Sequence, residues 1–199
     1  VYTKLGQSDY AAEIAALRAA GPDAVFSVHP GGMGINFIKQ YAQSGLTTTI
    51  PVFGPAFSFD ERLLGAVGAA ALGVKNGSQW SHDLDNPANK KFVADFRAAY
   101  DRTPTLYASQ GYEAARLIGS ALKNVDGDVS KLEQMRTALR KAEFESVRGQ
   151  FAFTTNQHPV QNIYIREVVE DGRGGFTNKT LEAVFTGHGN AYVDACKMQ

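Results

Sequence analysis

The 199-residue sequence contains a single cysteine, Cys196, near its end. That excludes a disulfide scaffold within the chain and any CxxC metal or redox motif. Excess charge of either sign is also lacking, because twenty lysines and arginines balance twenty aspartates and glutamates. A protein that grips nucleic-acid backbones carries a basic footprint, and so does a polybasic membrane-surface protein. Neither class fits. Long apolar runs are missing too. The longest candidate, Ala66–Val74, falls well short of the ~18 residues a membrane span needs. What is present is ordinary globular composition, 44% apolar, enough to bury one or two cores. The 20 glycines exceed the usual share of about 7% and call for tight turns and close backbone approaches. The chain starts at Val1 rather than Met and shows no signal peptide, so it is expected to be processed or cut from something longer.

Hydrophobic spacing then organises the chain. Val1–Leu5 reads as the tail of a strand. Asp9 caps a helix whose Tyr10, Ile14 and Leu17 share a face, stopped by Gly21-Pro22. A strand over Asp23–Val28, a glycine-rich turn over His29–Gly34 and a helix carrying Phe37, Ile38 and Tyr41 follow. Ile50–Phe53 is a strand closed by Gly54-Pro55, Leu63, Leu64 and Val67 mark a short helix, and Leu72–Val74 is another strand. This alternation predicts an α/β fold with a mostly parallel sheet and helices on both faces.

After Trp80 the pattern becomes helical. Asn86-Pro87 is a capped start with proline at the first helical position, ahead of Phe92, Val93, Phe96 and Tyr100. Thr103-Pro104 opens the next helix, with Ala114, Leu117, Ile118, Ala121 and Leu122 as its buried face. Ser130–Glu133 has the form of a capping box and opens a third, with Leu132, Met135 and Leu139 inward. Arg148–Phe153, Val160–Val169 and Thr180–Phe185 read as strands, the last two joined by a turn at Gly172–Gly175. The chain therefore divides near 78–82 and again near 159–162, a layout suited to two lobes and hinge closure.

Turns at the carboxyl ends of parallel strands line ligand crevices. His29, Pro30 and Gly31 open the first such turn, which either lines a ligand or serves the backbone alone. Its glycines complete neither a dinucleotide fingerprint nor a phosphate-binding loop. The stretch Gly54–Phe59 follows the next strand. Its phenylalanines, Phe57 and Phe59, either wall an apolar pocket or pack on the following helix. Trp80 lies at the first crossing and either faces a cleft or fills space beneath it. The four histidines show no metal-ligand spacing, and Ala108–Gly111 is no nucleophile elbow. No metal, cofactor or catalytic constellation is expected, and the chain does not read as an enzyme.

Several segments together carry a family resemblance. They are Ser8–Ile14, Pro22–Val25, Lys39–Tyr41, Gly45-Leu46, Gly54-Pro55, Ala70–Val74, Asp85–Lys90, Tyr112–Ala114 and Arg148–Phe151. In order along nearly the whole chain, they resemble the leucine/isoleucine/valine-binding type of periplasmic solute-binding proteins, which serve ABC importers. The resemblance implies two α/β lobes of the type 1 periplasmic-binding fold with a ligand cleft between them. It places residues 1–78 in the second lobe, 79–162 in the returning part of the first and 163–199 in the second again. The first half of lobe one would be absent, and with it a possible partner for Cys196. A periplasmic location and a membrane permease as partner are implied as well.

One departure bears on the ligand. Amino-acid-binding members carry an acidic residue just after Gly54-Pro55, which pairs with the ligand ammonium. Here that position is Ala56, followed by Phe57. An ammonium buried without a carboxylate would cost several kcal/mol, as an order of magnitude of about that size. The resemblance with this departure points to a small organic acid, an aromatic carboxylate above all. The expected contacts are His29, Pro30, Gly31, Phe53, Ala56, Phe57 and Trp80. His29 would meet a ring substituent or help neutralise the acid. The alternative is an amino acid or amide, bound by a transport protein or a ligand-sensing regulator of the same fold.

Overall fold

The computed structural model describes residues 1–196 and 198. Its first sheet strands are short and parallel: β1 (Val25–Phe26), β2 (Val52–Pro55) and β3 (Lys75–Ser78). Val25 pairs with Val52, and Gly54 with Asn76. Along β2 burial alternates, with Val52 and Gly54 inward and Phe53 and Pro55 half-buried on the other side. That period of two is the pleat of a strand with one covered face. The sheet order is β1-β2-β3-β5-β4, where β4 is Ala152–Phe153 and β5 is Pro159–Glu170. The last strand, β6 (Phe176–His188), also pairs with β5.

The chain forms two compact units. One is Val1–Ser78 with Ile165–Glu182, and the other is Gln79–Tyr164 with Ala183–Gln199. The polypeptide therefore passes between them three times. The sequence division put all of 163–199 with residues 1–78. In the structure residues from Ala183 onward group with the second unit, because β6 continues far enough for the Gly187 amide to donate to Asn162 Oδ1 at 2.9 Å.

In the first unit, α1 (Ala11–Ala20) and α2 (Gly31–Gln43) cover the inner sheet face. Tyr10, Ile14, Phe37, Ile38 and Tyr41 are buried there with Val52 and Leu64. Helix α1 stops at Gly21 in the left-handed region (φ +55°), as a C-terminal glycine does at no steric cost. Helix α3 (Glu61–Val67) starts at Asp60, whose side chain accepts from the Arg62 amide. Two sequence expectations fail here. Val1–Leu5 forms no strand, and its Thr3 side chain instead meets His29. The third strand is Lys75–Ser78 rather than Leu72–Val74, because Gly73 takes a positive φ (+76°) and the ladder begins after it.

The second unit is built on α4 (Pro87–Tyr100), α5 (Leu106–Asn124) and α6 (Leu132–Lys141). The Asn86 side chain caps α4 by accepting from the Asn89 amide at 2.8 Å. Thr105 caps α5 by accepting from the Ala108 amide at 3.1 Å. The buried residues of α5 are Leu106, Ser109, Glu113 and Ala121, whereas Ala114 and Ile118 are exposed. Glu113 turns inward because it pairs with a buried arginine, which apolar spacing does not register. Ser130 does not form the capping box, since its hydroxyl donates to Asp128 Oδ1 at 2.6 Å. Leu132 is accordingly exposed, and Ala138 is the buried residue of α6.

Candidate functional site

In the first unit the parallel strands end on one edge, and the residues after β1 and β2 lie there together. Two glycines stand at close approaches here. A Cβ on Gly34 would stand 2.6 Å from the His29 carbonyl oxygen and 3.7 Å from that of Ser58. A Cβ on Gly54 would meet Phe59 Cε2 at 2.6 Å and the Ser27 carbonyl oxygen at 2.8 Å. Neither spot admits a side chain without a backbone or ring shift. Gly34 relieves a close approach within its own turn, and Gly54 lets the Ser27 carbonyl after β1 approach the segment after β2.

His29 is built into this edge. Its Nδ1 lies 2.9 Å from Ser27 Oγ and its Nε2 lies 3.1 Å from Thr3 Oγ1. Its ring sits 4.9 Å from Phe37 and edge-on to Tyr10 at 5.3 Å. Burial pushes its pKa below the ordinary histidine value, and the Glu13 charge opposes that only in part. It is therefore a neutral, fully engaged ring and a poor counter-ion for an acid. Pro30 is exposed and extended, and it precedes the helix α2 that opens at Gly31 (φ +53°). The glycine-rich stretch is thus the first turn of a helix more than a loop.

After β2, residues Ala56–Ser58 form one turn of 3₁₀ helix. Ala56 is buried and Phe57 half-buried, whereas Phe59 is fully buried in the core. The two phenylalanines split between the alternatives, with Phe59 packing inward. Phe53 lies within β2, in register with the exposed Phe26 and with Lys75, on the opposite sheet face from Val52. The segments 27–34 and 52–59 contain no acidic residue. The acids that follow are engaged: Asp60 caps α3, and Glu61 accepts bonds from Thr177 and Asn178. Sequence reasoning passed over Ser58. Its hydroxyl is buried and has no hydrogen-bond partner among the described residues, a shortfall worth about 1–3 kcal/mol.

Trp80 belongs to the second unit. It is 1% exposed, its indole N–H donates to Asn89 Oδ1 at 2.8 Å, and its ring meets Phe92 edge-on. Asn89 also donates to the carbonyls of Ser81, His82 and Leu84. Trp80 is therefore packed within the interior of its own unit. The same unit buries the Glu113–Arg148 pair. Arg148 Nε donates to Glu113 Oε2 at 2.6 Å, Ser146 donates to the other oxygen, and the guanidinium lies 4.7 Å over Phe151. Among the described residues no three His, Cys, Asp or Glu side chains are grouped to hold a metal ion. No helix among them is long and apolar enough to cross a membrane.

Comparison with known proteins places these features in context. Residues 1–173 match the family model of the periplasmic binding proteins. A Leu/Ile/Val-binding protein homolog of Brucella melitensis is 29% identical over 183 residues, which is 89% of this chain and 47% of that protein. A solute-binding protein of an R. palustris ABC transporter, solved with benzoate, is 33% identical with a TM-score of 0.88. It is matched over 98% of this chain and 52% of its own. Another, from Rhodopseudomonas palustris BisB5 and solved with 3,4-dihydroxybenzoic acid, is 34% identical with a TM-score of 0.74. That match covers 90% of this chain and 49% of the other. The chain spans about half the length of the curated relatives it matches.

Proposed function

Because the chain belongs to the periplasmic binding protein family, we propose that it is part of the solute-binding component of an ABC importer whose ligand is an aromatic carboxylate. The observation that carries this reading is Ala56. It stands buried after Gly54-Pro55, in a pair of turns without any acidic residue. A ligand ammonium enclosed there would lose its hydration without gaining a carboxylate, at a cost of several kcal/mol, roughly. An aromatic acid makes no such demand, and its ring suits the half-buried Phe57. Burial of a phenyl-sized group contributes about 2 kcal/mol. The benzoate and dihydroxybenzoate complexes of the two solved neighbours support the same class.

The proposed contacts are His29, Pro30, Gly31, Ala56 and Phe57, with Phe53 behind them. Trp80 is left out because it lies in the second unit's core. His29 acts in this proposal as a neutral wall, its ring fixed by Ser27 and Thr3. The proposed mechanism is a population shift: ligand contacts favour a closed form that the membrane permease recognises in the periplasm. The three passages of chain between the units are the segments proposed to bend. Moving such an equilibrium from 1:99 to 99:1 takes about a 10⁴-fold preference for the closed form.

A second reading is a branched-chain amino acid, favoured by the names of the Brucella relatives. A thermal-shift panel on the full-length protein separates the two. Stabilisation by benzoate and hydroxybenzoates with none from leucine, isoleucine or valine is expected. The reverse pattern refutes the Ala56 argument.

A further inference from the structure

The first unit buries a chain of polar side chains that the proposed ligand contacts do not use. Arg166 on β5 is 1% exposed, and its Nε and Nη2 both donate to Asn76 Oδ1, at 3.0 and 2.6 Å. Asn76 on β3 donates in turn to Asn178 Oδ1 at 2.8 Å. Asn178 on β6 is 0% exposed. Its Nδ2 donates to the Phe59 carbonyl at 2.9 Å and to Glu61 Oε1 at 2.8 Å. Its backbone N–H donates to that same carboxylate oxygen at 3.0 Å, and Thr177 Oγ1 donates to the other at 2.9 Å.

The positions of the acceptors give this arrangement its meaning. Phe59 directly follows the Ala56–Ser58 turn, and Glu61 begins α3. One amide, 119 residues away in sequence from Phe59, therefore ties down the outgoing end of the turn. The incoming end is fixed by the β2 ladder and by the contact at Gly54. Stability alone does not call for so polar an interior, since well-packed apolar residues do as well or better. What a satisfied buried network adds is a single geometry.

We propose that Asn178 is a positioning residue for ligand binding: through the Phe59 carbonyl and the Glu61 carboxylate it sets where Ala56 and Phe57 stand on the sheet edge. This rests on the ligand-binding reading of that turn. Asn178 does not touch the ligand and acts through the turn alone.

The test uses the full-length protein as wild type, N178A, N178D and N178D/E61Q. Benzoate affinity is measured by calorimetry, and amide hydrogen exchange is followed without ligand. N178A is expected to weaken benzoate binding about tenfold and to speed exchange at residues 56–60 by a similar factor. Amides of α2 should change less than about twofold. N178D should be worse, because its carboxylate faces that of Glu61. Adding E61Q removes the repulsion between the two carboxylates but leaves the Phe59 carbonyl without its donor, so the double variant should return only to about the N178A level. Unchanged benzoate affinity in N178A, or faster exchange spread evenly over the first unit, overturns the proposal and leaves Asn178 a purely structural residue. Should N178A not fold, E61A removes the turn-side partner alone. It should loosen residues 56–60 and weaken benzoate, and an unchanged result in both overturns the proposal. A wild type that binds no aromatic carboxylate sinks the ligand reading, while the exchange at 56–60 still decides whether Asn178 holds the turn.

Discussion

Replacing Glu113 with alanine probes an enclosed ion pair of the second unit. The Glu113 side chain is 4% exposed and that of Arg148 is 11% exposed. Removal of the carboxylate leaves a guanidinium held by Gln161 and stacked on Phe151, with its charge uncompensated. The Ser146 hydroxyl loses its acceptor at the same time. Breaking one side of a buried pair costs about 3–5 kcal/mol. For a chain of this size each kcal/mol lowers the melting temperature by roughly 2–4 °C, so a drop of about 6–20 °C is expected. Urea unfolding followed by circular dichroism gives the free energy directly. Exchanging both partners, E113M/R148M, should recover most of the loss, because two well-packed apolar side chains replace the pair without a stranded charge. A cost below about 1 kcal/mol for E113A would show that the pair behaves like an exposed one and would refute the reasoning.

Other expectations follow from the sheet edge. Gly34→Ala should destabilise the first unit by about 1–3 kcal/mol, since its Cβ meets the His29 carbonyl oxygen at 2.6 Å; a thermal melt equal to wild type contradicts this. The lowered pKa of His29 gives a signed pH dependence. In its window the unfolded chain binds the proton and the folded one does not, so stability is full above pH ~6.5 and falls as pH drops below it. His29→Asn should flatten the stability profile below about pH 6.5, and an unchanged slope there rules His29 out as its source. Asn89→Ala should cost several kcal/mol, roughly, by stranding the Trp80 N–H and three carbonyls, and a denaturation midpoint near wild type would contradict that.

Local chemistry made some elements legible. Asn86-Pro87 marks the start of α4, because a cap side chain and a fixed φ act within one turn of chain. Tyr10, Ile14, Phe37 and Tyr41 declared their faces by spacing, since each simply packs inward. Elements decided by distant partners were harder. Strand β3 is Lys75–Ser78, whose inward residues Asn76 and Ser78 are polar, and Asn76 is satisfied by residues about a hundred positions away. The buried face of α5 follows Glu113 and its arginine. Trp80 was placed by its position at a crossing, whereas its N–H found a partner inside its own unit. For the candidate site, the turns after β1 and β2 were legible from strand-end logic. Their close approach at Gly54, and the anchoring of one of them by Asn178, depend on atoms that meet only in the fold.

The central claim is the class of ligand, and a pair of calorimetric titrations of the full-length protein addresses it most directly. With benzoate and leucine run side by side on wild type and on Ala56→Glu, wild type should bind benzoate at least about a hundredfold more tightly than leucine. Ala56→Glu should weaken benzoate binding, since the introduced carboxylate repels an anionic ligand at the same sheet edge. Tight leucine binding by wild type, with no measurable heat from benzoate, would contradict the account.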